Sequence, residues 1–307
     1  MGNMNTVRLN AYAKINLTLA LTGRRGEYHT LDSLVCTIDL FDRIVVKKRK
    51  DKLVRVFMHG MGSESISPEE NNAQRAGEKF VQAFGTSGAD ITIYKNIPVG
   101  AGLGGSSADA AGVLNALAKL YGIADSGALK SLADELGSDT GYMLTGGFAR
   151  MAGRGEEVRF LGEFPRLALL LVLPKEGVST AACYRLSDTL KGDGADSALS
   201  LSLLQKGDLQ AFCASLKNDL YPAARVLLSD VEEALAEAES FSPWGACMTG
   251  SGSGVFAVFE TEELASWAKS RYRGKHRVLV SHTCSPKMEK SKKFRNPFSL
   301  SEEEREL

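Results

Sequence analysis

The segment Pro98-Val99-Gly100-Ala101-Gly102-Leu103-Gly104-Gly105-Ser106-Ser107 constrains this 307-residue chain more than any other. It follows Ala89–Tyr94, whose alternation of apolar and polar residues reads as a strand, and it opens into Ala108–Leu120, dense in Ala and Leu at helical spacing. Residues without a Cβ let backbone N–H groups approach a polyanion, and the N-terminus of the helix beyond adds positive potential. Ser106, Ser107 and Asp109 fall in the first helical turn, where hydroxyls can meet phosphate or a magnesium ion. A nucleotide triphosphate fits such a site. The competing reading is a flexible turn with Ser107 as the helix N-cap.

Other glycine-loop chemistries fit less well. Gly100-x-Gly102-x-x-Gly105 satisfies the dinucleotide pattern, and Asp125 lies about twenty residues on. That fold needs its acid at the end of the next strand, whereas Asp125 sits between two helical patterns. A Walker A loop fails because Ser106 stands where lysine is required. The catalytic-loop and metal-binding motifs of protein kinases are missing downstream.

Any phosphate must be held by a local site, because Lys plus Arg (37) balance Asp plus Glu (37) and leave no global field toward nucleic acid or an anionic membrane. The five cysteines, Cys36, Cys183, Cys213, Cys247 and Cys284, are scattered without a Cys-x-x-Cys pair, which argues for a reducing compartment and against a disulfide framework or zinc site. His282 and Cys284 are close but lack partners for a metal. No apolar run reaches the roughly 18 residues of a membrane span, and no signal pattern opens the chain, so a cytoplasmic protein is expected. Met1–Thr6 matches the myristoylation pattern by letter, and chance is the better explanation in the absence of a second membrane signal.

Strands are predicted over Val7–Leu21, Leu31–Val46, Leu53–His59, Ala89–Tyr94, Leu167–Leu173 and Gly254–Phe259, with a turn at Gly23–Gly26. Helices are predicted over Asn72–Phe84, started by Pro68 and Glu69, then over Ala108–Leu120, Leu129–Leu136, Thr180–Leu190, Leu201–Leu216 and Leu227–Glu239, with a last one after the Gly254–Phe259 strand to about Ser270. The mixed order, without repeats, favours an α+β two-lobe architecture over a parallel sheet. Residues from Lys287 onward are highly charged and read as a solvated tail.

Two ordered glycine motifs, Pro98–Ala111 and Met248-Thr249-Gly250-Ser251-Gly252-Ser253, resemble those of the GHMP kinases. Within that superfamily, Ala13-Lys14-Ile15-Asn16-Leu17, Gly23-Arg24-Arg25, Tyr28-His29-Thr30-Leu31, Gly177–Ala181 with Tyr184, and Asn218-Asp219-Leu220 are similar to the diphosphocytidyl-methylerythritol kinase family. The resemblance covers roughly residues 7–285. It implies a ribosomal S5-like N-terminal ATP-binding domain over residues 1–157, a ferredoxin-like C-terminal domain over 158–286, and leaves 287–307 as the tail. Two departures stand out. Gly26-Glu27 precedes Tyr28 where the family has Asp-Gly, and Thr140-Gly141 follows Asp139 where the family has Val or Ile and then Pro.

The resemblance also implies site residues. Asp139 matches the catalytic acid that accepts the substrate hydroxyl proton, and Lys14 would hold that carboxylate and stabilise developing charge. Lys14 lies in an otherwise apolar strand, an expensive place for an unpaired ammonium; the plainer alternatives are a helix-capping Asp139 and a surface Lys14. Pro98, Gly100, Gly102, Leu103, Gly104, Gly105, Ser106 and Ser107 would bind ATP, accompanied by Mg2+ whose ligands are unassigned. Tyr28 and His29 match the cytidine site, with Tyr184 as a second aromatic wall; Asn16, Thr180 and Asp219 would frame the substrate. The implied reaction is phosphorylation of the 2-hydroxyl of a cytidine-diphosphate-bearing methylerythritol in non-mevalonate isoprenoid synthesis. The alternatives are a homoserine- or mevalonate-type kinase, or a relative that binds nucleotide without turnover. The expected partner is that small molecule, with neither nucleic acid nor membrane, acting on a monomer or homodimer.

Overall fold

One long strand organises the first half of the chain. In the computed structural model, which describes residues 5–65, 67 and 71–285, strand β3 runs Tyr28–Lys48 and pairs antiparallel with β1 (Thr6–Asn16), β2 (Ala20–Arg25), β5 (Ala89–Lys95) and β6 (Phe148–Gly153). β4 (Val54–Gly60) lies parallel to β5, and β7 (Glu157–Gly162) closes the other edge against β6. Helix α1 (Asn72–Phe84) joins β4 to β5; α2 (Gly105–Tyr121), α3 (Ser126–Leu136) and α4 (Thr140–Met143) lead from β5 to β6. α2 is nearly all buried. Its Gly112 allows the close approach, since a Cβ there would stand 2.4 Å from Ile44 Cδ1 and 3.1 Å from Ala11 Cβ.

The second sheet begins with β8 (Ala168–Leu173), buried at every position because it is interior to the sheet. Helices α5 (Thr180–Ser187), α6 (Ser197–Gln205), α7 (Leu209–Ala214), α8 (Tyr221–Leu227) and α9 (Asp230–Glu239) follow, then β9 (Gly245–Met248), β10 (Val255–Phe259), α10 (Glu262–Arg271) and β11 (Arg277–His282). The antiparallel order β11-β8-β10-β9, connected as strand, helices, strand, strand, helix, strand, is the ferredoxin-like arrangement. Backbone bonds stitch the two sheets together: Leu19 N to Lys217 O at 3.0 Å, Asp219 N to Leu19 O at 2.8 Å, and Cys284 N to Thr37 O at 2.9 Å.

The two-sheet α+β architecture agrees with the sequence reading, and several details differ. The strand expected over Val7–Leu21 is two strands. The first hairpin turns at Gly26-Glu27 rather than across Gly23–Gly26, because β2 continues through Arg25 with an irregularity at Gly23. The helix expected over Leu201–Leu216 breaks at Gly207, φ +77°, and Asp208 caps α7 by accepting from Ala211 N. The one expected over Leu227–Glu239 starts at Asp230, because Leu228 is extended. Strands β6, β7, β9 and β11 were not foreseen. β7 belongs to the first sheet, so the sheets divide between Gly162 and Ala168, and a boundary after residue 157 crosses β7.

The Pro68-Glu69 helix start, the tail from Lys287 and most of the Met1–Thr6 motif lie outside the described residues. No helix among the described residues is long and apolar enough to cross a membrane. None of the five cysteines is in a disulfide, and four are buried.

Candidate active site

The glycine loop between β5 and α2 is clamped from three sides. Lys14 N on β1 donates to Leu103 O at 3.1 Å, Ser253 N donates to Gly100 O at 3.2 Å, and Gly254 N donates to Ala101 O at 3.2 Å. At Gly102, φ +71°, a Cβ would stand 2.1 Å from Thr249 O, so the two glycine loops touch backbone to backbone. At Gly104, also φ +71°, a Cβ would meet Met143 Cε at 2.5 Å and Lys14 Cγ at 3.2 Å. The loop is therefore held in place rather than a free turn. Ser107 is not the N-cap: α2 starts at Gly105, Gly104 occupies the cap, and no side chain caps the end. Its first-turn N–H groups are left for another acceptor.

Two cavities flank the loop and share Gly100, Gly102, Gly104, Gly105 and Ser106. The smaller, about 230 Å³, adds Pro98, Leu103, Asn72, Met58 and Lys95 to its walls. The larger, about 800 Å³, runs from Ser107 and the loop past Lys14, Asn16 and Asp139 to Tyr28, His29, Thr180 and Tyr184. With the exception of Asp219, every residue singled out for nucleotide, chemistry or substrate thus borders one or other of these two adjoining cavities.

At its centre Lys14 Nζ stands 3.3 Å from Asp139 Oδ2, with the lysine side chain 5% exposed and the aspartate 32%. The ammonium also donates to Asn16 Oδ1 at 2.5 Å. Lys14 is thus neither at the surface nor unpaired. Asp139 occupies the N-cap position of α4 but its side chain makes no cap bond, which removes the capping alternative. Thr140 is fully buried, with Oγ1 unpartnered among the described residues. Asn16 is more committed than expected of a substrate ligand. Its Oδ1 also accepts from Gly250 N at 3.1 Å, its Nδ2 donates to Ser33 Oγ at 2.8 Å, and its N donates to Thr249 Oγ1 at 2.9 Å.

The far end of the larger cavity is aromatic and cationic. Tyr28 is 60% exposed, with the Arg154 guanidinium 4.9 Å from its ring centroid. His29 and Tyr184 have ring centroids 5.2 Å apart. Burial, and secondarily the charge of Asp139, raises the Tyr184 phenol, so it stays neutral. His29 Nε2 lies 2.7 Å from Asp188 Oδ1, and Arg24 is bonded to the other oxygen of that carboxylate. Thr180 shares a hydrogen bond with Ser251 at 2.9 Å. Asp219 does not face this cavity; it accepts from Leu21 N, Gly194 N and Ala195 N and ties segments together.

Beneath the smaller cavity lies an ion cluster that the sequence did not reveal. Lys95 Nζ bonds Asp109 Oδ2 at 2.6 Å and also Asp42, all three being buried, while Asp42 Oδ1 accepts from Ile97 N at 2.9 Å. Asp109 is therefore engaged through Oδ2 by Lys95, while it still borders the smaller cavity and its Oδ1 has no partner among the described residues. Burial first, then the charge of Asp42, pushes its carboxyl up to about 8 against the opposing pull of Lys95. For Lys95 the attraction of the two carboxylates outweighs burial and raises the ammonium. Arg24, Arg154 and Asp188 were likewise not assigned to the site from sequence; Arg24 was visible only within the Gly23-Arg24-Arg25 motif.

Comparison with known proteins places this arrangement. The GHMP kinases N-terminal domain matches residues 71–150, and the GHMP kinases C-terminal domain matches residues 200–276. A 4-diphosphocytidyl-2-C-methyl-D-erythritol kinase of Desulfitobacterium hafniense is 41% identical over 287 residues, covering 91% of this chain and 96% of that protein. One from Pelotomaculum thermopropionicum is 37% identical, covering 91% and 98%. A crystal structure of a 4-(cytidine 5'-diphospho)-2C-methyl-D-erythritol kinase superposes with a TM-score of 0.73 at 31% identity, covering 90% of this chain and 99% of that one. A homoserine kinase from Cytophaga hutchinsonii gives 0.70 at 19% identity, covering 92% and 96%, a likeness of fold alone. By its sequence and by its fold, the chain belongs to the GHMP kinase family.

Proposed function

We propose that this kinase transfers the γ-phosphoryl group of ATP to the 2-hydroxyl of 4-diphosphocytidyl-2-C-methyl-D-erythritol, giving the 2-phosphate and ADP in non-mevalonate isoprenoid precursor synthesis. The observation that carries the reading is the larger cavity, which joins the uncapped helix end, the Lys14–Asp139 pair and the Tyr28/His29/Tyr184 aromatic end. The relatives that match nine-tenths of the chain bear the name of this enzyme. The reading also places the protein in the cytoplasm.

In-line phosphoryl transfer asks the protein for position and charge neutralisation more than for reactive groups. Asp139 accepts the proton of the attacking hydroxyl as its oxygen bonds to the γ-phosphorus, and the bond from that phosphorus to the bridging oxygen breaks to release ADP. Lys14, fixed by Asn16 and Asp139, stabilises the charge that develops. The N–H groups of the loop and the first turn of α2 hold the phosphates. Ser107 and Asp139 offer oxygen donors on the wall of the larger cavity, the kind Mg2+ prefers, and would hold such an ion. Such an ion would neutralise phosphate charge. Arg24 and Arg154 suit the substrate's diphosphate, and the aromatic rings suit its base.

A catalytically impaired relative is the second reading, prompted by Thr140-Gly141; the accessible Asp139 beside Lys14 favours turnover instead. ADP release from ATP and Mg2+ decides, with the cytidyl-methylerythritol substrate set against homoserine, mevalonate and phosphomevalonate. Turnover with the first alone is expected. Turnover with another, or with none, overturns the assignment.

A further inference from the structure

We infer that Asp188, with Arg24, is a positioning pair that fixes the tautomer of His29 and so makes the pocket choose cytosine over uracil. This rests on the cytidyl reading above and adds residues to which that reading gives no role in choosing the base.

His29 Nε2 has two neighbours that ask opposite things of it. Asp188 Oδ1, at 2.7 Å, can only accept while ionised, so it requires Nε2 to carry the proton. Arg24 Nη2, at 3.4 Å, can only donate and would require Nε2 bare. The shorter, charge-assisted contact prevails, and Arg24 is bonded to Asp188 as well, where its charge is better used. The hydrogen bond from His29, with the charge of Arg24 behind it, holds the Asp188 carboxyl below its usual range.

With Nε2 protonated, a neutral imidazole presents Nδ1 as an acceptor. Among the described residues Nδ1 has no partner, and His29 lines the larger cavity beside Tyr184. An acceptor there is satisfied by the exocyclic amine of cytosine and opposed by the O4 carbonyl of uracil. The charged or titratable groups facing the ring are Arg24 from β2, Asp188 from the end of α5 and Tyr184 within α5.

Two measurements on the full chain test this. The first is 15N NMR of histidine-labelled protein, with His29 assigned by His29→Gln. Wild type should show the Nε2–H form, and Asp188→Ala a mixture or the Nδ1–H form; the same Nε2–H signal in both overturns the inference. The second is kcat/KM for the cytidyl substrate against its uridyl counterpart. Asp188→Ala should lower that ratio roughly tenfold or more, mainly through KM of the cytidyl substrate, with KM for ATP as the control for folding. Asp188→Asn, which keeps an acceptor oxygen, should restore part of the ratio. An undiminished ratio in Asp188→Ala, or no recovery in Asp188→Asn, overturns the inference. If wild type turns over neither substrate, the functional reading fails while the NMR result still decides the tautomer.

Discussion

Two lysine–aspartate groups stand on either side of the same glycine loop, and they are built for different ends. Lys14 faces one carboxylate, Asp139, about a third of which is open to the larger cavity. Lys95 sits between two carboxylates, Asp42 and Asp109, and all three side chains are at most 4% exposed. An ion pair is therefore no mark of catalysis by itself. What separates the groups is whether the acid can be reached by a hydroxyl and whether the charges balance. The first group keeps a carboxylate accessible and matched to one cation. The second seals one cation with two acids, a costly arrangement whose return is the fixed seating of β5 and α2 against β3.

The sharpest way to break this distinction is to neutralise each acid or base and read activity and stability together. Asp139→Asn should lower kcat by about 10²- to 10⁴-fold, the usual worth of a general base. Lys14→Met should cost about 10²- to 10³-fold, as loss of a charge-stabilising donor does. Thermal melting of Asp139→Asn should stay close to wild type, because the acid is partly solvated. A variant that keeps wild-type kcat at saturating substrate removes Asp139 from the chemistry.

Lys95→Met should show the reverse pattern. Removing the shared cation leaves the buried Asp42 carboxylate without compensation, and breaking a buried pair in this way costs about 3–5 kcal/mol. Urea titration should show the unfolding free energy falling by that amount. Protein that remains folded should lose affinity for ATP more than it loses kcat, since Lys95 and the loop it supports wall the smaller cavity. A melting curve unchanged from wild type would make the cluster ornamental and void the comparison.

How much of this was legible beforehand follows the range of the interactions. α1 was read with its observed bounds because its stop signals are local: Asn71 caps it through Ala73 N and Gln74 N, and Gly85 ends it in the left-handed conformation. The phosphate loop was legible because glycine spacing there answers to backbone sterics at Thr249 and Lys14, whatever the distant partner is called. β6 and β7 were missed because Phe148–Gly153 mixes small and charged residues, and its Arg150 is accommodated by Asp32, 118 residues away. Asp188 escaped notice for the same reason, lying 159 residues from His29. Asn16 was over-read. Its place beside Lys14 was visible, whereas Gly250 and Ser33, which share its amide with Lys14, and Thr249, which takes its backbone N–H, come from other strands and loops.

A pH series tests the charge imbalance that sets the buried cluster apart. Asp109 in the folded chain holds its proton up to about 8, whereas an unfolded aspartate releases it near 3.9. Between those values the folded state binds one proton more than the unfolded one, so stability falls as pH rises; the contribution is whole below about 4 and spent above about 8. Asp109→Asn keeps an acceptor for Lys95 but removes the titration. Its denaturation midpoint should therefore be flatter than wild type across that window, and the two curves should diverge most at its upper end. Asp139→Asn should leave the slope as it is, because the cluster is untouched. A slope unchanged by Asp109→Asn would mean that Lys95 satisfies both acids in their ionised forms, and that the two lysine–aspartate groups differ only in access.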